Sequence, residues 1–362
     1  MTACRQSPQQ QLERYLKPWR QAGRWTHDYA GCGSFRQGLV YETSHGGQST
    51  WFDLASLSKA IVTAPLIHTI QSEAEPILPA ELQFLDLTRP GLLRLISHRS
   101  GFRDWVALWI QDATEAFEPM WGLCKTRLPQ FLQLCRQRGY LPSVDQVGPV
   151  YSDLGYLAAG FYLEYRYDRS LWELFQSFAR KEKLCIEGLR PHFVVQAPLC
   201  APTGFCALRK RVLCGEIHDE NASFIGGLPG HTGMFGTGRG LVAWLESFYR
   251  SPAGRAFFAS NQVLMKDPLD EPDTGLYQLC GLDQAGPAST GAFFGQGKAL
   301  GHVGFTGGAF WVDMQRHKYA VFLTNRTFSG RRGHWFHEVR RRVFDLLGQI
   351  CGCSSVDKTG SA

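Results

Sequence analysis

Hydrophobic and polar positions along the chain fall into three kinds of pattern. Near the start, Tyr29-Ala-Gly31 and Gly38-Leu-Val-Tyr-Glu42 alternate in the manner of two short strands joined by a glycine-containing turn, after a polar amphipathic lead-in over 1–24. From Lys59 to Ile70 the residues KAIVTAPLIHTI are apolar on nearly every face, which predicts a helix buried all round and kinked at Pro65. Helical periodicity returns at about 89–98, 128–138, 154–165, 170–181 and 238–250, and the fourth of these opens with the capping-box signature Ser170-Leu-Trp-Glu173. Past residue 296 short alternating runs reappear, Phe310-Trp-Val-Asp313 and Tyr319-Ala-Val-Phe-Leu323, around the turn Met314 to Lys318, and a last helix follows at about 334–350.

Strand signals at both ends and helices between them predict an α+β body with an antiparallel sheet built from both termini. The expected division is a sheet body from 1–80 and 205–350, a mostly helical region over 81–204 and a disordered tail over 351–362. The chain has 362 residues, enough for two domains or one large composite. With 44% hydrophobic and 19% charged residues it reads as an ordinary folded protein and not as a disordered or low-complexity one.

Thirty-eight basic residues against 32 acidic leave a formal charge of +6, but the charges are scattered and form no basic stripe with interleaved aromatics, so nucleic acid is not an expected partner. Arg340 to Arg342 read as the solvated face of a helix. Eleven cysteines without a CxxC pair read as free thiols, which suits a reducing compartment. The first residues lack the apolar core of a secretory signal, about 7–15 residues long, and no run of about 18 apolar residues occurs, so a cytoplasmic protein without a membrane span is expected.

Candidate chemistry begins at Ser56-Leu-Ser-Lys59. At the start of a helix, residues three apart share a face with Cβ atoms about 5–6 Å apart, so Lys59 reaches the Ser56 hydroxyl. A serine needs a base to become a nucleophile, and the apolar flanks are expected to disfavour the charged lysine and make it one. The Ser56 backbone N–H at the helix start is placed to donate to a developing oxyanion. Ser355-Val-Asp-Lys358 repeats the spacing in the tail but lacks apolar flanks, and reads as coincidence. In order after the first copy come Tyr151-Ser-Asp153, ahead of another apolar helix, and Gly301-His-Val-Gly-Phe305.

Together these segments resemble the β-lactamase-related serine hydrolases, the group of class C β-lactamases, D-amino-acid peptidases and related esterases. Phe52 to Lys59 is similar to that family's nucleophile segment, Leu95-Ile-Ser-His-Arg-Ser-Gly-Phe102 to its L-x-x-H-x-SG turn, and Tyr151-Ser-Asp-Leu-Gly-Tyr156 to its tyrosine motif. Gly215 to Ala222, Gly230 to Phe235, Gly301 to Val312 and Leu323 to Arg326 extend the similarity over about 26–350. The resemblance implies a β-lactamase/transpeptidase-like fold, Ser56 as the acylated nucleophile, Lys59 as its base and Tyr151 as proton carrier. It places Asp153 near Lys59 or a substrate amide, His302 and Gly304 along an edge strand against which substrate lies, and the Phe305 N–H as second oxyanion donor. It requires neither a metal nor an organic cofactor.

Two departures shift the expected substrate. Val303 removes a hydroxyl that many members carry, and His302 stands where many penicillin-binding proteins have lysine. A neutral imidazole holds a carboxylate less firmly than a permanent cation, so esters, short amides or small peptides are expected to be better substrates than β-lactams. The alternatives are a catalytically silent binding or scaffold protein on the same fold, and a D-amino-acid or peptidoglycan peptidase. Ser56 also reads as a helix N-cap, Tyr151 as a core residue and Asp153 as a cap for the helix beginning at Leu154. His98, His218 and His231 read as turn residues, Gly236-Thr-Gly-Arg-Gly240 and Gly295-Gln-Gly-Lys298 as loops, and Trp105, Trp109 and Trp121 as an apolar wall shared between core and pocket.

Overall fold

A computed structural model describes residues 6–70, 85–109, 124–140, 149–191, 199–265, 276–295 and 299–353. Its centre is a seven-stranded antiparallel sheet in which Gly38–His45 and Asp28–Ser34, from the start of the chain, pair onto Lys318–Thr324, Ala309–Asp313 and Ala299–Val303 from its end. The register of the joining pair runs from Asp28↔Thr324 to Ser34↔Lys318. Asn325 holds this seam, its Oδ1 accepting from the N–H groups of Thr26 and His27 at 3.1 and 2.9 Å.

Both faces of the sheet are covered, which is why the last strands are apolar at successive positions. Phe310, Val312, Val321 and Leu323 point into the larger core, with Trp244 and Phe248 of the helix Gly238–Arg250. Ala309, Trp311, Ala320 and Phe322 point the other way, onto Val339, Val343 and Leu347 of His334–Cys353 and Leu12 and Leu16 of Pro8–Gln21. Among the described residues no helix is long and apolar enough to cross a membrane.

The antiparallel sheet built from both ends of the chain is the one expected, and helices form at Arg89–Ile96, Cys124–Gln137, Asp153–Tyr167 and Leu171–Glu182. The capping box at Ser170 and Glu173 is present in both directions. Helices at Glu220–Ile225, Pro252–Val263 and Pro287–Gly295 were not anticipated, although Asp219 caps the first and Ser251 with Pro252 starts the second. The expected kink at Pro65 takes another form: a π-helical stretch, Lys59–Thr63, closed by the Ala64 N–H to the Lys59 carbonyl, precedes an α-helix Ala64–Thr69. Pro65 then lies in the first turn of that helix, where its missing N–H breaks no bond. Trp121 and the Ser355 to Lys358 repeat lie outside the described residues.

Candidate active site

The segment that carries Ser56 leaves the short strand Trp51–Asp53 through a left-handed residue, Ala55, at φ 46°. A non-glycine residue there is held by its surroundings. Asp53 supplies the hold: its carboxylate is buried and accepts from the N–H of Ala55 and of His218, both at 2.8 Å. Burial pushes the Asp53 pKa up, to about 6, against the pull of those two donors. Beyond Ala55 a tight turn follows, with Lys59 N–H bonded to the Ser56 carbonyl at 3.0 Å, so both side chains project to the same side. The Ser58 hydroxyl points the other way and accepts from the Met234 N–H at 3.0 Å.

Lys59 is completely buried. Its Nζ donates to Ser56 Oγ at 2.9 Å and to the His231 carbonyl at 2.9 Å, and lies 2.7 Å from Asp153 Oδ1. This corrects the expectation that burial would leave an uncharged base. Burial does push the Lys59 pKa down, but the charges and hydrogen bonds of Asp153 and Tyr151 together outweigh it and the net shift is upward. The direction favours the ammonium form of the lysine at rest.

Tyr151 closes the group. Its ring lies 5.0 Å from Lys59 Nζ and stacks on His98 at 4.4 Å, with His302 at 6.2 Å. Burial raises the Tyr151 pKa, Lys59 draws it back and Asp153 opposes that draw; the net direction is up. His98 is itself left-handed, at φ 59°, and its Nδ1 accepts from the Ser152 N–H at 2.9 Å, which puts its own proton on Nε2. Ser152 is the N-cap of Asp153–Tyr167, with Oγ accepting from the Gly155 N–H. The cap is therefore the residue before Asp153, and Asp153, at the first helical position, is free to reach Lys59.

The end of the Ala299–Val303 strand approaches from the other side. Gly304 packs so closely on the nucleophile segment that a Cβ there would lie 2.8 Å from the Leu54 carbonyl. The Thr306 hydroxyl donates to the Asp53 carbonyl at 2.6 Å. These contacts place Phe305 against Ser56 across the mouth of a cavity of about 510 Å³. The strand is not an edge along its length: residues 299–301 pair with Asp283–Ala285, and only its last residues are uncovered on that side. His302 is buried, with Nδ1 2.8 Å from the Val303 carbonyl, and burial with the nearby Lys59 pushes its pKa down to about 3. It stands behind Tyr151 and does not line the cavity, so the substrate-facing position expected for it is taken by Phe305 and Thr306.

His218 and His231, read as turn residues, in fact line that cavity, and Asp219 lines it with them. Asp219 caps Glu220–Ile225 and its Oδ1 lies 3.1 Å from His231 Nε2; burial raises its pKa, but the His231 charge and hydrogen bond win and the net direction is down. The signal available in the sequence was the polar run His218-Asp-Glu-Asn221 between apolar residues. Donor atoms of Asp153, Asp219 and His231 lie within 4.8 Å of one another, the spacing of a cation site. The Lys59 ammonium already supplies that cation, touching Asp153 and the His231 carbonyl. Trp105 lines the cavity and meets Trp109 edge-on at 5.4 Å; Asn221 pins their loop by bonding the Leu108 N–H and the Val106 carbonyl, each at 2.8 Å.

A family model described as Beta-lactamase matches residues 22–342. The chain belongs to the beta-lactamase family. Solved structures share this family's fold at low sequence identity. EstCE1, a hydrolase with promiscuous acyltransferase activity, is 16% identical, with a TM-score of 0.65 over 93% of this chain and 98% of that one. D-amino acid amidase from Ochrobactrum anthropi SV3 is 14% identical, at 0.65 over 95% and 100%. A beta-lactamase/D-alanine carboxypeptidase from Pseudomonas syringae is 14% identical, at 0.62 over 97% and 99%. Comparison with curated proteins gives no match.

Proposed function

We propose that the chain is a serine hydrolase that cleaves a small ester, amide or short peptide through an acyl-enzyme on Ser56. The observation that carries this reading is the contact of the buried Lys59 Nζ with Ser56 Oγ at 2.9 Å, with Tyr151 packed on the same ammonium. A scaffold has no use for a buried lysine held at a serine hydroxyl, since burying a charge costs free energy that only pairing offsets. Fold neighbours named as a hydrolase, an amidase and a carboxypeptidase support the same reaction class.

In the proposed sequence the Ser56, Lys59 and Tyr151 set first gives up one proton to solvent. The Ser56 hydroxyl proton then passes into the Lys59–Tyr151 pair as Oγ bonds to the carbonyl carbon, and the oxyanion is met by the N–H groups of Ser56 and Phe305. Collapse breaks the bond to the leaving group, which takes its proton from Tyr151. Water, deprotonated by the same pair, adds to the acyl carbon and releases the acid, returning the hydrogen to Ser56. Because these groups share protons, the titration belongs to the set and not to one residue. Replacing Ser56 by Ala and assaying a chromogenic short-chain ester tests the reading: turnover at the parent rate removes it.

A further inference from the structure

The cavity that holds Ser56 is lined by groups of both signs. The carboxylates Asp153 and Asp219 meet Lys59 and His231. Arg331 and Arg332, both exposed, form another part of its wall. Arg331 is ion-paired with Glu220 at 2.7 Å and lies 5.7 Å over the Phe305 ring. Arg332 has no ion-pair partner among the described residues. His218, 6% exposed, lines the same cavity and packs on Phe305 at 5.7 Å, and its two ring nitrogens both lack a hydrogen-bond partner. A buried imidazole with neither nitrogen satisfied is costly unless something polar fills the space beside it.

We propose that this wall is a subsite for a carboxylate carried on the acyl part of the substrate, held by Arg331 and Arg332 with a hydrogen bond from His218. The assignment to the acyl part follows from Tyr151: the proton carrier and its neighbours His98 and His302 occupy the leaving-group side, while Phe305, His218 and Arg331 form a separate contact group. The inference rests on the hydrolase reading above and narrows its substrates to monoesters or monoamides of dicarboxylic acids, or acyl groups of like charge and length.

The test compares mono-p-nitrophenyl adipate with its methyl-capped ester, which differ in one charge, after subtraction of the spontaneous rates. The expected kcat/KM ratio is about tenfold in favour of the anion at low salt, falling as salt is added. It drops towards one in the Arg331→Ala/Arg332→Ala variant and rises in Glu220→Gln. A ratio of one or less, or one that survives loss of both arginines, overturns the subsite. Should the double variant not fold, Arg332→Ala alone carries the same comparison. Titrating Ser56→Ala with monomethyl adipate, read by tryptophan fluorescence, separates the two claims. Arginine-dependent binding without hydrolysis of either ester leaves the subsite standing and removes the hydrolase; Ser56-dependent hydrolysis without charge preference does the reverse.

Discussion

Nζ of Lys59 lies 2.7 Å from Oδ1 of Asp153, closer than to Ser56 Oγ or the His231 carbonyl, each at 2.9 Å. The carboxylate, with Tyr151, overrides burial and holds the lysine charged. In Asp153→Asn the ammonium loses its partner while burial remains, so the Lys59 pKa falls. The acid limb of the kcat/KM profile for a neutral ester is therefore expected to move to lower pH. An unchanged midpoint would mean that Asp153 does not govern the proton that must leave.

Tyr151 is fixed by its ring, between His98 and His302, and by the Ser152 N–H bond to His98. Tyr151→Phe keeps the ring and removes only the hydroxyl. A loss of about 10²- to 10⁴-fold in kcat is expected, the usual range for a proton-transfer group, with little change in thermal midpoint. Loss of stability without loss of turnover would assign the residue to the core.

Gly304 is required for close approach. A methyl group there meets the Leu54 carbonyl at 2.8 Å and the Ala55 Cβ at 3.6 Å, so Gly304→Ala must part the two backbones that carry Ser56 and Phe305. The expected result is a cost of about 1–3 kcal/mol in stability, typical of overpacking, and a larger loss in kcat than in KM. Denaturant titration and ester kinetics on the same sample check both.

Asp53 links stability to pH. Its folded pKa, about 6, is raised above the ordinary 3.8 by burial. The fold therefore favours the protonated form, and the group's contribution is fully present below about pH 4 and lost as pH rises through 6. The span is roughly 3 kcal/mol at most, from about two pKa units. Asp53→Asn cannot ionise, so the difference in unfolding free energy between parent and variant is expected to vary across pH 4–7 in that sense. A constant difference would show that the Asp53 pKa is not shifted.

The two ends of the chain differ in how much of the fold they disclose. The strands around Tyr29 and from Phe310 to Leu323, and the Ser170 cap, depend on neighbours in sequence, and they form where periodicity puts them. Pro252–Val263 is equally local in its Ser-Pro start but lacks a clean apolar stripe, so periodicity does not disclose it. At the site, Ser56 and Lys59 are three residues apart, so one helical turn suffices to pair them. His218, Asp219 and His231 carry no such spacing. They become cavity residues because Asp53 and Lys59 bond to the backbone of His218 and His231, contacts between segments far apart in the chain.

By itself, then, the order of residues determined the α+β architecture, the Ser56–Lys59 pair and the order of the motifs, since these rest on hydrophobic period and on side chains within one turn. Folding decided the partners of Lys59, the retreat of His302 from the cavity and the gathering of Arg331 and Arg332 around the same space as Ser56. Each of those depends on the local dielectric and on which distant charges share it, and both are fixed only when the sheet brings residues 53, 153, 219 and 331 around one space.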